Sequence, residues 1–163
     1  MTKPVINLSE VPLHDTGDKK GFQAKVGSFG GTIGSKGIGA MLHVVEPGKK
    51  AFPFHAHHQI HELFLILEGE GEYRFGKETF AVKTGDVLAA PTGGTEVAHQ
   101  IINTGRNTMK YLGISTVADT EVVEYPDSGK FAVTSHFDWN TMSGGIRHIG
   151  KPGTGLDYYD GES

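Results

Sequence analysis

Apolar runs in this 163-residue chain are repeatedly cut short by turn signals. Pro47-Gly48, Phe75-Gly76-Lys77, Thr84-Gly85-Asp86 and Asn103-Thr104-Gly105 punctuate its middle, and glycine occurs 24 times. Short runs bounded in this way read as strands. The pattern predicts strands over residues 39–46, 62–68, 70–75, 78–82, 86–90, 98–103 and 109–116 with short connections between them. Strands of that number and length close into an all-β, jelly-roll-like barrel whose alternate side chains point into a central cavity.

Length and composition narrow what such a barrel can do. A chain of 163 residues suits one domain with a sizeable core and leaves no room for a second enzyme domain. The net charge of -4 comes from interspersed acids and bases, so the basic stripe that a nucleic-acid backbone requires is missing. Cysteine is absent, which excludes disulfides and thiolate metal sites and leaves imidazole and carboxylate as donors. The segment Met1 to Glu10 has no apolar stretch of signal-peptide length, and no later run approaches the roughly 20 apolar residues of a membrane span. The expectation is a cytoplasmic protein with neither a membrane nor a nucleic-acid partner.

Within the barrel pattern, His55, His57, Glu62 and His99 read as the ligands of one divalent metal ion. A single histidine is more often a surface or hydrogen-bonded residue, but four of the nine histidines here fall between positions 55 and 61. Residues one and three of an extended segment project from the same face, so His55 and His57 can meet one ion. Glu62 opens the apolar run Leu63-Phe64-Leu65-Ile66-Leu67 and offers a carboxylate from the neighbouring strand, and His99 completes the set from a later one. Strand alternation sends His61 to the face opposite Glu62, although His61 remains the competing ligand at this point. His58 is expected behind the ligands or at the surface.

The spacing of these residues resembles the two motifs of the cupin superfamily. Gly48, six residues, His55-Ala-His57, four residues, Glu62, six residues and Gly69 follow the first motif. Gly85, five residues, Pro91-Thr-Gly93, five residues, His99, three residues and Asn103 follow the second, with a spacer before His99 that is three residues longer than the family's. That departure leaves the loop from Gly93 to Ala98 open. Glu124-Tyr-Pro-Asp-Ser-Gly-Lys130 and Asp157-Tyr-Tyr-Asp-Gly-Glu162 further resemble a bacterial single-domain cupin group, some of whose members are called sugar-phosphate isomerases. The resemblance implies a double-stranded β-helix over 38–117 with irregular extensions at both ends. The N-terminal extension, 1–37, carries Phe22, Val26, Phe29, Ile33 and Ile38 to bury, and small cupins lend such arms to a partner, so a homodimer with a strand-swapping arm is expected. Beyond Val117 the pattern loosens, and in the extension 118–163 Asp157, Tyr158, Tyr159, Asp160 and Glu162 are candidate lid residues.

Three neutral imidazoles and one carboxylate would leave a divalent ion, be it Fe, Mn, Ni, Zn or Cu, with open positions for water or a chelating substrate. The resulting expectation is a metal-dependent cupin enzyme acting on a small oxygen-rich metabolite, in first place a sugar or sugar-phosphate isomerase. An iron or copper dioxygenase and a non-catalytic small-ligand-binding cupin are the alternatives. Catalytic duty is expected of Glu62, if displaced from the ion, or of His43, which shares a strand face with Met41 and Val45. His43 serves as a proton shuttle if that face lines the barrel, and is a partly buried bystander if it does not.

Overall fold

The computed structural model describes residues 3–18, 20–138 and 142–162. Its strands are β1 (His14–Gly17), β2 (Gln23–Ser28), β3 (Ile38–Val45), β4 (Ala56–His57), β5 (Glu62–Glu68), β6 (Glu70–Phe75), β7 (Glu78–Lys83), β8 (Val87–Ala90), β9 (His99–Ile102), β10 (Met109–Thr116), β11 (Thr120–Tyr125), β12 (Lys130–Ser135) and β13 (Ile146–Gly150). Helical structure among the described residues is limited to three-residue 3-10 turns, and no helix is long and apolar enough to cross a membrane.

Strand alternation builds the core. On β5, Phe64 and Ile66 are buried while Leu63, out of step with them, is 49% exposed, so Glu62, in step with Phe64 and Ile66, enters the barrel. The six-stranded sheet β1-β2-β3-β10-β5-β8 faces the three-stranded sheet β7-β6-β9. Between them pack Val45, Phe64, Ile66, Leu88, Met109 and Tyr111 from the first sheet against Tyr73, Val82 and Ile101 from the second. A fully buried aliphatic side chain such as Ile66 contributes about 1.5–3 kcal/mol. The result is an all-β double-stranded β-helix.

Gly69 makes the β5–β6 corner possible. Its φ is +89°, and a Cβ there would stand 3.0 Å from the Met109 Cα. Asn103, wholly buried, fastens the end of β9: its side-chain amide donates to the Val45 and Asn107 carbonyls at 2.8 and 2.9 Å, and its oxygen accepts from the Gly105 amide. The motif asparagine is thus a staple of the barrel frame.

Both ends carry more regular structure than the sequence pattern suggests. In the N-terminal segment, β1 pairs with β2 and β2 with β3, and Val11 and Phe29 pack on Leu42 with Ile6, Leu8 and Leu112 around them. In the single chain the arm therefore covers part of its own outer sheet face. The C-terminal extension, expected to be irregular, holds the sheet β13-β12-β11-β4. Its strands were hidden because Pro126, Asp127 and Gly129 read as breakers, whereas Ser128 and Gly129 donate back to the Tyr125 carbonyl and turn β11 into β12. The candidate lid residues Asp157, Tyr158, Tyr159, Asp160 and Glu162 are all exposed, with Tyr158 and Tyr159 edge to face at 4.9 Å.

Candidate metal centre

Two short stretches meet where the three-stranded and four-stranded sheets join. His55 and His99 exchange backbone hydrogen bonds, His55 N to His99 O at 3.1 Å and His99 N to His55 O at 2.8 Å. Partners in such an antiparallel bridge present side chains on one face. Their rings accordingly lie 4.5 Å apart, and His57, two residues further along, brings its ring within 5.0 Å of that of His55. The longer spacer before His99 is absorbed by a 3-10 turn at Thr95–Val97. Its neighbours stay tied to the site, since Gly93 N donates to His57 O and Ala98 packs on Phe54 and Ala56.

The three imidazoles surround a single oxygen. Glu62 Oε2 stands 3.0 Å from His99 Nε2, 3.5 Å from His57 Nε2 and 4.0 Å from His55 Nε2. The ligand atoms of His55, Glu62 and His99 all lie within 4.8 Å of one another, and His57 stands at the edge of that group. His61 is exposed on the other face of β5, its amide donating to Thr116 Oγ1, and the exposed His58 pairs with Glu124 at 2.7 Å. The structure therefore brings His55, Glu62 and His99 together, sets His57 beside them, and leaves His61 and His58 exposed.

Donor chemistry fits a divalent cation. Ligands that each sit about 2.0–2.2 Å from one ion are roughly 3 to 4 Å from each other, and Glu62 Oε2 keeps that spacing, 3.0–4.0 Å, to the three Nε2 atoms. His55 Nδ1–H donates to the Pro53 carbonyl at 2.8 Å, which leaves its Nε2 lone pair facing the centre. Burial, helped by repulsion from His99 and His57, lowers the His55 pKa to about 3, so the ring is neutral and ready to ligate. For Glu62, burial raises the pKa, but the hydrogen bond with His99 and the electrostatic influence of the surrounding imidazoles outweigh it and hold the carboxyl below its ordinary value. An ionised carboxylate and imidazole nitrogens in a water-poor recess suit the borderline metals better than magnesium or calcium. The cluster of His55, Glu62 and His99 can hold an ion.

His43 faces inward. It is 3% exposed, stacked on Tyr111 at 4.3 Å and set edge-on to Phe52, with its Nδ1 buried and unpartnered. Burial lowers its pKa to about 4, partly offset by the Tyr111 backbone and the Glu62 charge.

One buried acid beside the cluster had no counterpart in the sequence reading. Glu121 of β11 is 4% exposed, and its carboxylate lies 3.6 Å from His57 Nδ1 while accepting from the His58, Gln59 and Ile60 amides. Lying in a loosely patterned segment after the barrel, Glu121 has no local signal that marks it. Its place depends on β11 pairing with β4.

Comparison with known proteins agrees with this architecture. Residues 41–115 match the cupin domain family. An uncharacterized protein of Methanocaldococcus jannaschii is 34% identical over 85 residues, which cover 50% of this chain and 65% of that protein. Among solved structures, a candidate sugar phosphate isomerase of Acidithiobacillus ferrooxidans superposes with a TM-score of 0.77 at 23% identity, covering 91% of this chain and 92% of the other. A cupin-superfamily sugar phosphate isomerase of Silicibacter pomeroyi gives 0.76 at 19% over 95% and 98%. A predicted oxalate decarboxylase of Thermotoga maritima gives 0.60 at 22% over 70% and 99%. At these identities the solved structures speak for the fold. The cupin domain match over residues 41–115 lies within the double-stranded β-helix, and that fold is the one the chain shares with these solved structures.

Proposed function

We propose that this protein is a metal-dependent enzyme acting on a small oxygen-rich metabolite, with isomerisation of a sugar or sugar phosphate as the leading reaction. The observation that carries the proposal is the convergence of three histidine Nε2 atoms on one Glu62 oxygen. His55, His57, Glu62 and His99 are the proposed ligands. A bound ion would supply Lewis acidity to adjacent carbonyl and hydroxyl oxygens of the substrate. Glu62, surrounded by imidazoles, stays ionised and holds charge. Proton transfer is assigned to His43, neutral at pH 7, on the inner wall and within electrostatic reach of Glu62. Tyr111 beneath its ring fixes the plane of the imidazole, and Phe52 keeps water from its edge. The names of the two full-length structural neighbours support the choice of reaction class.

Turnover of aldose and ketose phosphates in deuterated water by the manganese-loaded protein tests the reading. Interconversion with deuterium incorporated next to the carbonyl, lost in His99→Ala, is the expected result. Undiminished turnover in His99→Ala would place the chemistry elsewhere, oxygen consumption would favour the dioxygenase alternative, and saturable binding without product would favour the binding-module alternative.

A further inference from the structure

His57 is the one imidazole of the cluster whose two nitrogens face two different carboxylates. Its Nε2 is 3.5 Å from Glu62 Oε2, and its Nδ1, buried and without a hydrogen-bond partner, is 3.6 Å from Glu121 Oε2. Glu121 is not a loose surface acid. Oε1 accepts from the amides of His58 at 2.9 Å and Gln59 at 3.2 Å, and Oε2 accepts from Ile60 at 2.8 Å and Gln59 at 3.3 Å. One buried carboxylate thus gathers three consecutive N–H groups of the turn whose two ends carry His57 and Glu62.

A neutral imidazole carries one proton, and the nitrogen that holds it cannot ligate. His55 has this choice made by the Pro53 carbonyl, which takes its Nδ1–H. For His57 the acceptor on that side is Glu121. We propose that Glu121 is a positioning residue of the metal centre: it takes the His57 Nδ1–H, turns the Nε2 lone pair toward Glu62, and fixes the 58–60 turn at the spacing that one ion requires. A small rotation of the ring closes the remaining gap to hydrogen-bond length. The C-terminal sheet is then part of the metal site, because β11 supplies Glu121 and pairs with β4 through Val123 and His57. This inference rests on the metal-dependent reading of the site. Carboxylates and carbonyls behind metal-bound histidines act in this way generally, and their loss costs 10–100-fold in metal affinity.

Glu121→Gln is the informative variant, because it keeps the shape but presents an NH2 donor either to a turn amide or to His57 Nδ1. Two readouts on the full chain are combined. Long-range 15N–1H correlation on the metal-free protein in mildly alkaline buffer reads the His57 tautomer, and loss of the free-ion EPR signal reads Mn2+ affinity. The wild type is expected to carry its proton on His57 Nδ1. The variant is expected to move it to Nε2, with His55 unchanged, and to bind Mn2+ about 10–100-fold more weakly. A wild-type His57 protonated on Nε2 overturns the proposal even if the variant fails to fold. So does a folded variant that keeps both the wild-type tautomer and the wild-type affinity. Wild-type protein that binds no Mn2+ would instead count against the metal reading, while the tautomer still decides the role of Glu121.

Discussion

Glu62 Oε2 lies 3.0 Å from His99 Nε2 although 37 residues separate them in the chain. The contact exists because β5 turns Glu62 inward with Phe64 and Ile66, while the bridge to His55 turns His99 toward the same space. Fold and site are therefore one arrangement.

Acid should destabilise the metal-free protein before its carboxylates titrate. His43 and His55 have pKa values lowered to about 4 and about 3 by burial, against 6.5 when unfolded. The unfolded chain binds those protons first, so stability is fully present above about pH 6.5, falls as pH drops toward 4 and levels off below the folded values. The slope expected from each histidine is about 1.4 kcal/mol per pH unit at most. Urea titrations across that range, repeated on His43→Phe, should show a shallower dependence in the variant. An identical slope would mean that His43 titrates freely in the fold.

Gly113→Ala probes the inner wall. A Cβ at that position of β10 would stand 3.0 Å from His43 Cε1 and 3.4 Å from Phe64. Overpacking of this kind costs about 1–3 kcal/mol and should displace the His43 ring. Thermal unfolding together with the His43 ring chemical shift checks the outcome. An unchanged shift would place the imidazole farther from Gly113.

Arg74 clasps the C-terminal hairpin to the barrel. Its guanidinium forms two hydrogen bonds to Asp127, at 2.7 and 2.8 Å, and lies 3.7 Å above the Phe54 ring. Both partners are partly exposed, so Arg74→Ala should cost only about 1 kcal/mol, less at high salt. Denaturation at two salt concentrations measures it, and a salt-independent loss would assign the effect to the Phe54 contact.

Much of this was legible in the sequence. Glu62–Glu68, Glu70–Phe75 and Met109–Thr116 fall where the apolar runs and turn signals put them, because each strand is bounded by its own glycine or loop. Alternation alone sets Glu62 and His61 on opposite faces, and the spacing to Gly69 in the resembled motif favours Glu62; in the structure Glu62 is half-buried and His61 exposed. The C-terminal sheet was not legible, since its pairing partner for β11 is the two-residue strand Ala56–His57, far away in sequence. Glu121 was invisible for the same reason.

The homodimer expected from the sequence has a surface to use. On the outer face of the six-stranded sheet, Ile114 pairs with Leu63, and Leu65 next along pairs with Val87. Ile114, Leu63 and Val87 are 39%, 49% and 66% exposed beyond the part that the N-terminal arm covers. We propose that a second copy covers them. Sedimentation at micromolar concentration should give a dimer for the wild type and a monomer for Leu63→Glu/Val87→Lys, whereas a wild-type monomer would contradict the proposal.

The central claim is that one ion sits among His55, His57, Glu62 and His99. An anomalous-difference map from crystals of the metal-loaded protein, recorded at the metal's absorption edge, tests it most directly. The account predicts one strong peak about 2.0–2.2 Å from the three Nε2 atoms and a Glu62 oxygen. A peak elsewhere, or none with the metal present at saturating concentration, would contradict it.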